Sequence, residues 1–485
     1  MAITTTLRLI WQLTPVAVRT AVLNLLRLSQ NAKKQDLKTE VIVAVLKKLT
    51  SVPQPIGSVQ KWGLRDPGIK GPIWISTVTM PAPAESDTLD VLLRAIEAMG
   101  DGTEQFTKPT VASIEAEWTG ARHGVGKNEP RPDLPEAEQY NKLLNESPGK
   151  TTILYFHGGA YLMMDPATHR VTTGKLSKRT GGRVLSVRYR LAPQFPFPAA
   201  LLDAFLAYLY LISPPPGSFH DPVKPSHIVF AGDSAGGGLS TALLLLLLHL
   251  RRSGVTHVQI HGKSVELGIP AGIATNSPWL DVTHALPSMQ RNKQYDYLQL
   301  PNPDGTPTTE PPRDDIWPAS PPRAEIYCNA SMLTHPLVSP AAASAELWKG
   351  TPPVFMVCGE ELLTDGATAA ARQIHGVGGV VHFVGYEGMP HCFSMIFQTE
   401  DCFSRWAQFC MDAATDPKLL GRPNTGTWVR ALTNPPEGYE SELASINALS
   451  GEEVRRLMTV AKAKAVIREE ELVKKWEQKE TRAKL

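Results

Sequence analysis

The chain has no surplus of charge. Its 49 lysines and arginines face 47 aspartates and glutamates, a formal net charge of +2 over 485 residues. A protein that holds nucleic acid through its phosphates carries a strong basic field, so that partner class is discounted. Cysteine is also scarce. Cys328, Cys358, Cys392, Cys402 and Cys410 are odd in number, and none of them forms a C-x-x-C pair. That speaks against a disulfide framework or a cysteine metal site and suits a reducing compartment. Long apolar runs are missing too. The leucine run 243–248 is far short of the roughly 20 residues that span a bilayer. Near the N-terminus, Arg8, Arg19 and Arg27 interrupt the apolar residues and no small-residue cleavage site follows, so no secretory signal is read there. The expected location is the cytoplasm. Contact with a membrane surface through N-terminal helices is the alternative.

What is present suits a globular α/β protein. Apolar residues make up 42% and charged residues 20%, and the length suits one large core with appendages. In residues 1–60, Leu9, Leu13, Val16, Leu23 and Leu26 recur at helical spacing, and a second helical stretch covers 37–49. This segment is expected to be a helical cap or a membrane-surface segment. Residues 61–430 read as the main domain. Extended runs at 73–80 and 111–118 come first. From residue 151, short β-rich runs (151–156, 183–190, 227–231, 354–358, 380–386) alternate with helical stretches such as 235–252. That alternation implies a mostly parallel sheet flanked by helices. Near 285–330 the chain is rich in proline (Pro301, Pro303, Pro307, Pro311, Pro312, Pro318, Pro321, Pro322), which predicts an irregular insertion. Residues 431–485 are expected to be an extension ending in a charged helix. Ser450 and Glu453 form a capping-box signature at its start, and its apolar stripe is thin.

Two motifs carry chemistry. Gly232-Asp233-Ser234-Ala235-Gly236 follows a β-rich run and opens a helical one. This is the context of a nucleophile elbow, in which a strained strand-to-helix turn exposes the serine. His157-Gly158-Gly159-Ala160 closes the run 151–156. Acyl transfer develops a negative oxygen, and backbone N–H groups must already point at it. Gly158 and Gly159 are expected to supply two such donors and Ala235 a third.

With these motifs the sequence resembles the hormone-sensitive-lipase-like family of α/β-hydrolases, which carries H-G-G-G and G-D-S-A-G. The resemblance covers roughly residues 150 to 410. Tyr189-Arg190-Leu191-Ala192-Pro193, Phe197-Pro198-Ala199-Ala200, Ser277-Pro278-Trp279-Leu280-Asp281 and His335-Pro336-Leu337-Val338-Ser339-Pro340 look like further family landmarks. One departure is Ala160, where the family has glycine. The resemblance implies an α/β-hydrolase fold and a serine carboxylic-ester hydrolase without cofactor or metal. Its substrate would be a small-molecule ester of short to medium chain or hydrophobic character.

The fold's triad order is Ser, acid, His. His391, in Gly388-Met389-Pro390-His391-Cys392-Phe393, resembles the family's histidine loop and is the expected general base to Ser234. Aligning Leu363 and Asp365 with the family's D-x-L-x-D places the acid on Glu361, with Asp365 and then Glu360 as alternatives. Two other functions stay open. One is an acyltransferase with the same triad. The other is a non-catalytic receptor like the plant gibberellin receptors, which lack the histidine. The oligomeric state is left open.

Overall fold

A computed structural model describes residues 2–300, 302 and 310–484. Pro301, Pro303 and Pro307 of the expected insertion lie outside the described residues. Twelve strands are present among the described residues: β1 (Ile73–Met80), β2 (Ile114–Ala121), β3 (Thr152–Phe156), β4 (Arg183–Arg188), β5 (Ile228–Asp233), β6 (His257–Ile260), β7 (Lys263–Glu266), β8 (Gly272–Asn276), β9 (Val354–Gly359), β10 (Val381–Tyr386), β11 (Thr425–Val429) and β12 (Gly438–Glu442). Ten of them form one sheet in the order β1-β2-β4-β3-β5-β8-β9-β10-β11-β12, and β6 and β7 form a separate hairpin. From β4 to β11 every neighbouring pair is parallel, while β1–β2, β2–β4 and β11–β12 are antiparallel. This is the mostly parallel, helix-flanked sheet that the alternating pattern predicts.

The strand sequences explain the layering. Side chains alternate between the two faces of a strand. In β3, Leu154 and Phe156 enter the core on one face and Ile153 and Tyr155 enter the core on the other. The first core also contains the leucines of the helix Ala235–Arg252, and the second contains Phe403, Trp406 and Phe409 of the helix Glu400–Thr415. A sheet covered on both faces needs continuous apolar strands, and all five residues of β3 are buried. The leucine run 243–248 is buried inside this globular core.

The N-terminal segment forms the helices Ala2–Leu25 and Leu37–Thr50, followed by a shorter helix, Ile56–Gly63. Among the described residues, no helix is long and apolar enough to cross a membrane. The described residues 310–323, which carry Pro311, Pro312, Pro318, Pro321 and Pro322, form neither helix nor strand. The sheet continues past residue 430 through β12, which pairs with β11. The last helix, Gly451–Lys484, starts at a formed capping box: Ser450 Oγ accepts from the Glu453 N–H at 3.2 Å, and Glu453 Oε2 accepts from the Ser450 N–H at 2.8 Å. Val454 and Met458 seat its first turns in the core. Further along, Glu469 accepts from the N–H groups of Ala324 (2.8 Å) and Ala330 (3.1 Å).

Candidate active site

β5 ends at Asp233, and the helix Ala235–Arg252 begins two residues later, leaving Ser234 as the whole turn. Its backbone sits at φ +51°, ψ −122°, a conformation that L-residues rarely adopt. The turn closes only because its neighbours lack side chains. A Cβ on Gly232 would lie 2.5 Å from the carbonyl of Gly236, and one on Gly236 would lie 1.9 Å from the carbonyl oxygen of Phe156.

Ser234 Oγ lies 2.9 Å from His391 Nε2, and His391 Nδ1 lies 3.2 Å from Glu361 Oε1. Glu361 follows β9 and His391 follows β10, so the ends of adjacent parallel strands carry the two groups. The other carboxylates are engaged elsewhere. Glu360 pairs with Lys34 at 2.8 Å and accepts from the Gly388 N–H. Asp365 pairs with Arg291 and accepts from the Ser288 N–H at 2.8 Å. Of the three candidate acids, only Glu361 reaches the histidine.

Burial sets the electrostatics. Glu361 is fully buried, which raises its pKa, and His391 opposes that rise. Burial also pulls His391 down. The adjoining Cys392 and Glu361 outweigh it, and the net direction is up. His157 stays neutral, because burial lowers it to about 3. It stacks on Tyr189 and its Nδ1 donates to the carbonyl of Gly158 at 2.8 Å.

The oxyanion loop requires a correction. The N–H of Gly158 does not face the cleft; it donates to Asp233 Oδ1 at 3.2 Å. That carboxylate also accepts from Tyr155 Oη at 2.6 Å and meets His169 Nε2 at 3.2 Å. Burial pushes the Asp233 pKa up. The charge of His169 and the hydrogen bonds outweigh burial and hold it below the usual carboxylate range. An N–H given to such an acceptor is not free for a second one. The next two residues turn sharply, Gly159 at φ +102° and Ala160 at φ +54°. Among the described residues, the N–H groups of Gly159, Ala160 and Ala235 have no protein acceptor.

Sequence reasoning missed two residues at the site. Ser277 Oγ donates to Glu361 Oε2 at 2.8 Å and accepts from the Cys392 N–H at 3.0 Å, joining the acid loop to the histidine loop. The Ser277-Pro278-Trp279 landmark marked the place but not the role. Asp296 is fully buried. Its Oδ2 accepts from the Leu362 N–H at 2.8 Å and its Oδ1 from the His391 N–H at 3.2 Å. Nothing in the string Tyr295-Asp296-Tyr297 signalled that. Among the described residues, no three His, Cys, Asp or Glu side chains gather as metal ligands.

Residues 153–395 match the family model of the alpha/beta hydrolase fold. The chain belongs to that family. An acetyl-hydrolase of Streptomyces hygroscopicus is 32% identical over 241 residues, 50% of this chain and 67% of the relative. An esterase of Acinetobacter venetianus is 28% identical over 265 residues, 54% of this chain and 72% of the relative. A solved esterase/lipase from an uncultured bacterium has 25% sequence identity and a TM-score of 0.46, covering 77% of this chain and 98% of that one. Within the α/β-hydrolase family this chain is an enzyme of the esterase and lipase kind, a carboxylic ester hydrolase.

Proposed function

We propose that the chain cleaves carboxylic esters through an acyl-enzyme on Ser234, with His391 as base and Glu361 as the triad acid. The observation that carries this reading is the unbroken chain of contacts from Ser234 Oγ through both His391 nitrogens to Glu361 Oε1. His391 Nε2 takes the serine proton as Oγ attacks the carbonyl carbon. The tetrahedral oxyanion is held by the N–H groups of Gly159, Ala160 and Ala235. His391 returns the proton to the departing alkoxide, leaving an acyl-serine and a free alcohol. A water molecule, deprotonated by the same nitrogen, then attacks the acyl carbon, and the carboxylic acid leaves as Oγ regains its proton. Glu361 holds the imidazole in the Nδ1–H tautomer and offsets the charge of the imidazolium. The substrates proposed are esters of short to medium acyl chain or with a hydrophobic alcohol portion, acetyl esters among them by likeness to the Streptomyces enzyme. His391 opposite Ser234 argues against a receptor that has lost its base.

The test is labelling with a fluorophosphonate probe, followed by turnover of p-nitrophenyl esters of increasing chain length. The expected result is one label per chain, lost in Ser234→Ala, with the highest kcat/KM on the shorter chains. A folded wild-type chain that takes no label would overturn the proposal. Ester consumed only when an acceptor alcohol is supplied would make it an acyltransferase.

A further inference from the structure

The helix Ala2–Leu25 packs mainly against the helix Leu37–Thr50, and from Trp11 onward it has an exposed outer face. That face is apolar. Trp11, Val18, Val22 and Leu25 fall within about 60° of one another at roughly 100° per residue. Trp11 is 79% exposed and Leu25 67%, and Leu26 and Leu28 continue the patch past the helix end. Isolated exposed apolar residues are ordinary, but a contiguous stripe on one helix marks an interaction surface. The charge that the segment itself carries is of one sign. Residues 1–35 include Arg8, Arg19, Arg27, Lys33 and Lys34, and no aspartate or glutamate.

We propose that this helix docks on an anionic lipid surface, lying in the interface with Trp11, Val18, Val22 and Leu25 inserted among the lipids. An apolar stripe flanked by cations and free of acids suits a surface with hydrocarbon beneath negative headgroups. A second copy of this chain suits it less well. A two-fold interface sets the same patch against itself, so the same cations would face one another without a counter-charge. The helix also stands beside the chemistry. In the turn that follows it, Gln35 Nε2 donates to the carbonyls of Gly388 (2.7 Å) and Tyr295 (3.0 Å), while Lys34 pairs with Glu360. Gly388 leads into His391 and Glu360 adjoins Glu361. A chain seated by this helix therefore holds its histidine and acid loops close to the lipid, where hydrophobic esters collect.

The docking does not depend on the triad reading, so it is measured on the Ser234→Ala chain. Sedimentation with phosphatidylcholine vesicles is compared with and without phosphatidylglycerol, and sedimentation velocity is run without lipid. The expected result is binding to the phosphatidylglycerol vesicles only, weakened by salt. The partition coefficient is expected to fall roughly tenfold or more in Trp11→Ser with Leu25→Ser, and by a similar factor in Arg19→Gln with Arg27→Gln. Unchanged unfolding midpoints show that both variants are folded. No vesicle binding, or equal binding to neutral vesicles, would overturn the proposal. A lipid-free dimer that Trp11→Ser with Leu25→Ser dissolves would assign the face to a second copy instead.

Discussion

The Ser234 half of the proposed site and the Glu361 half are built by different means. Around Ser234 almost everything is local. A strand end, one strained residue and a helix N-terminus position Oγ, and flanking glycines make room for it. Around Glu361 almost everything is long-range. The carboxylate is held by Ser277, far upstream in sequence, and the loops on either side of the site are tied together by Asp296 from the insertion region. The local half is specified by steric necessity, the distant half by hydrogen bonds that several segments must meet at once.

The largest break of this comparison removes one chemical group from each half. Ser234→Ala is expected to lower kcat by about a millionfold, to the level left by binding and the oxyanion donors alone. Glu361→Gln is expected to lower it by about 10⁴-fold, because the imidazole loses its tautomer control and its counter-charge. Asp365→Asn should cost stability through its lost ion pair with Arg291 and leave the kcat of the folded enzyme nearly unchanged. Steady-state kinetics on one p-nitrophenyl ester checks all three. If Asp365→Asn matched Glu361→Gln in kcat, the assignment of the acid would be wrong.

The same contrast explains what could be read from the sequence. The elbow was legible because Gly232 and Gly236 cannot carry a Cβ, and that necessity leaves a fixed string of residues. The parallel sheet was legible because strands buried on both faces are continuously apolar. From its own residues the acid loop was legible only as three neighbouring carboxylates, and the choice of Glu361 rested on the family resemblance. The physical reasons for that choice, Lys34 on Glu360, Arg291 on Asp365 and Ser277 on Glu361, lie far from the loop in sequence. Of the expected oxyanion donors, Gly158 gives its N–H to Asp233 instead. A glycine string shows that backbone approaches closely, but not which N–H turns toward Asp233. The strands β6, β7, β8, β11 and β12 went unread as strands. β8 and β11 contain glycine and threonine, and the edge strand β12 is mostly exposed, so its Gly-Tyr-Glu-Ser-Glu lacks a buried apolar face.

A smaller perturbation tests the corrected loop. Gly158→Ala would place a Cβ 2.2 Å from Asp233 Oδ2, so the loop must shift. A displacement near 1 Å at the donors is expected to lower kcat by about 10²-fold. Ala160→Gly removes no N–H and should change kcat little. Pre-steady-state acylation rates separate the two outcomes. Equal losses would mean that Ala160 contributes through its methyl group rather than its backbone.

Smaller again is the expected effect of loosening the acid half through Asp296. Asp296→Asn replaces one carboxylate oxygen with an NH₂ group that cannot accept from Leu362 or His391. Leaving one buried N–H unpaired costs about 1–3 kcal/mol of stability. Because the same side chain meets the His391 backbone, kcat should fall as well, by about tenfold for roughly 1.4 kcal/mol of lost positioning. Thermal unfolding and kcat measured together check this. A stability loss with unchanged kcat would make Asp296 a purely structural tie.

The gentlest probe is pH, and it acts on two buried histidines, one of them in the Gly158 loop. Burial lowers His157 to about 3 and His220 to about 4, whereas a free histidine titrates near 6.5. Between those values the unfolded chain binds protons that the folded chain does not. The share of stability that these two histidines contribute therefore rises with pH across this window and falls as the solution is acidified below about 6.5, by at most about 1.4 kcal/mol per pH unit for each histidine. The loss from His220 stops near its folded value of about 4, and that from His157 continues toward about 3. Denaturant unfolding of wild type and His220→Gln across this range isolates the His220 share. A slope unaltered by His220→Gln would show that His220 is not held neutral. His157 stacks on Tyr189 and donates to Gly158, but it gains a proton only near pH 3, after His391, which is held above its ordinary value, has already been protonated. Activity should therefore be lost to acid at His391 first, and disturbance of the Gly158 loop should follow only at lower pH.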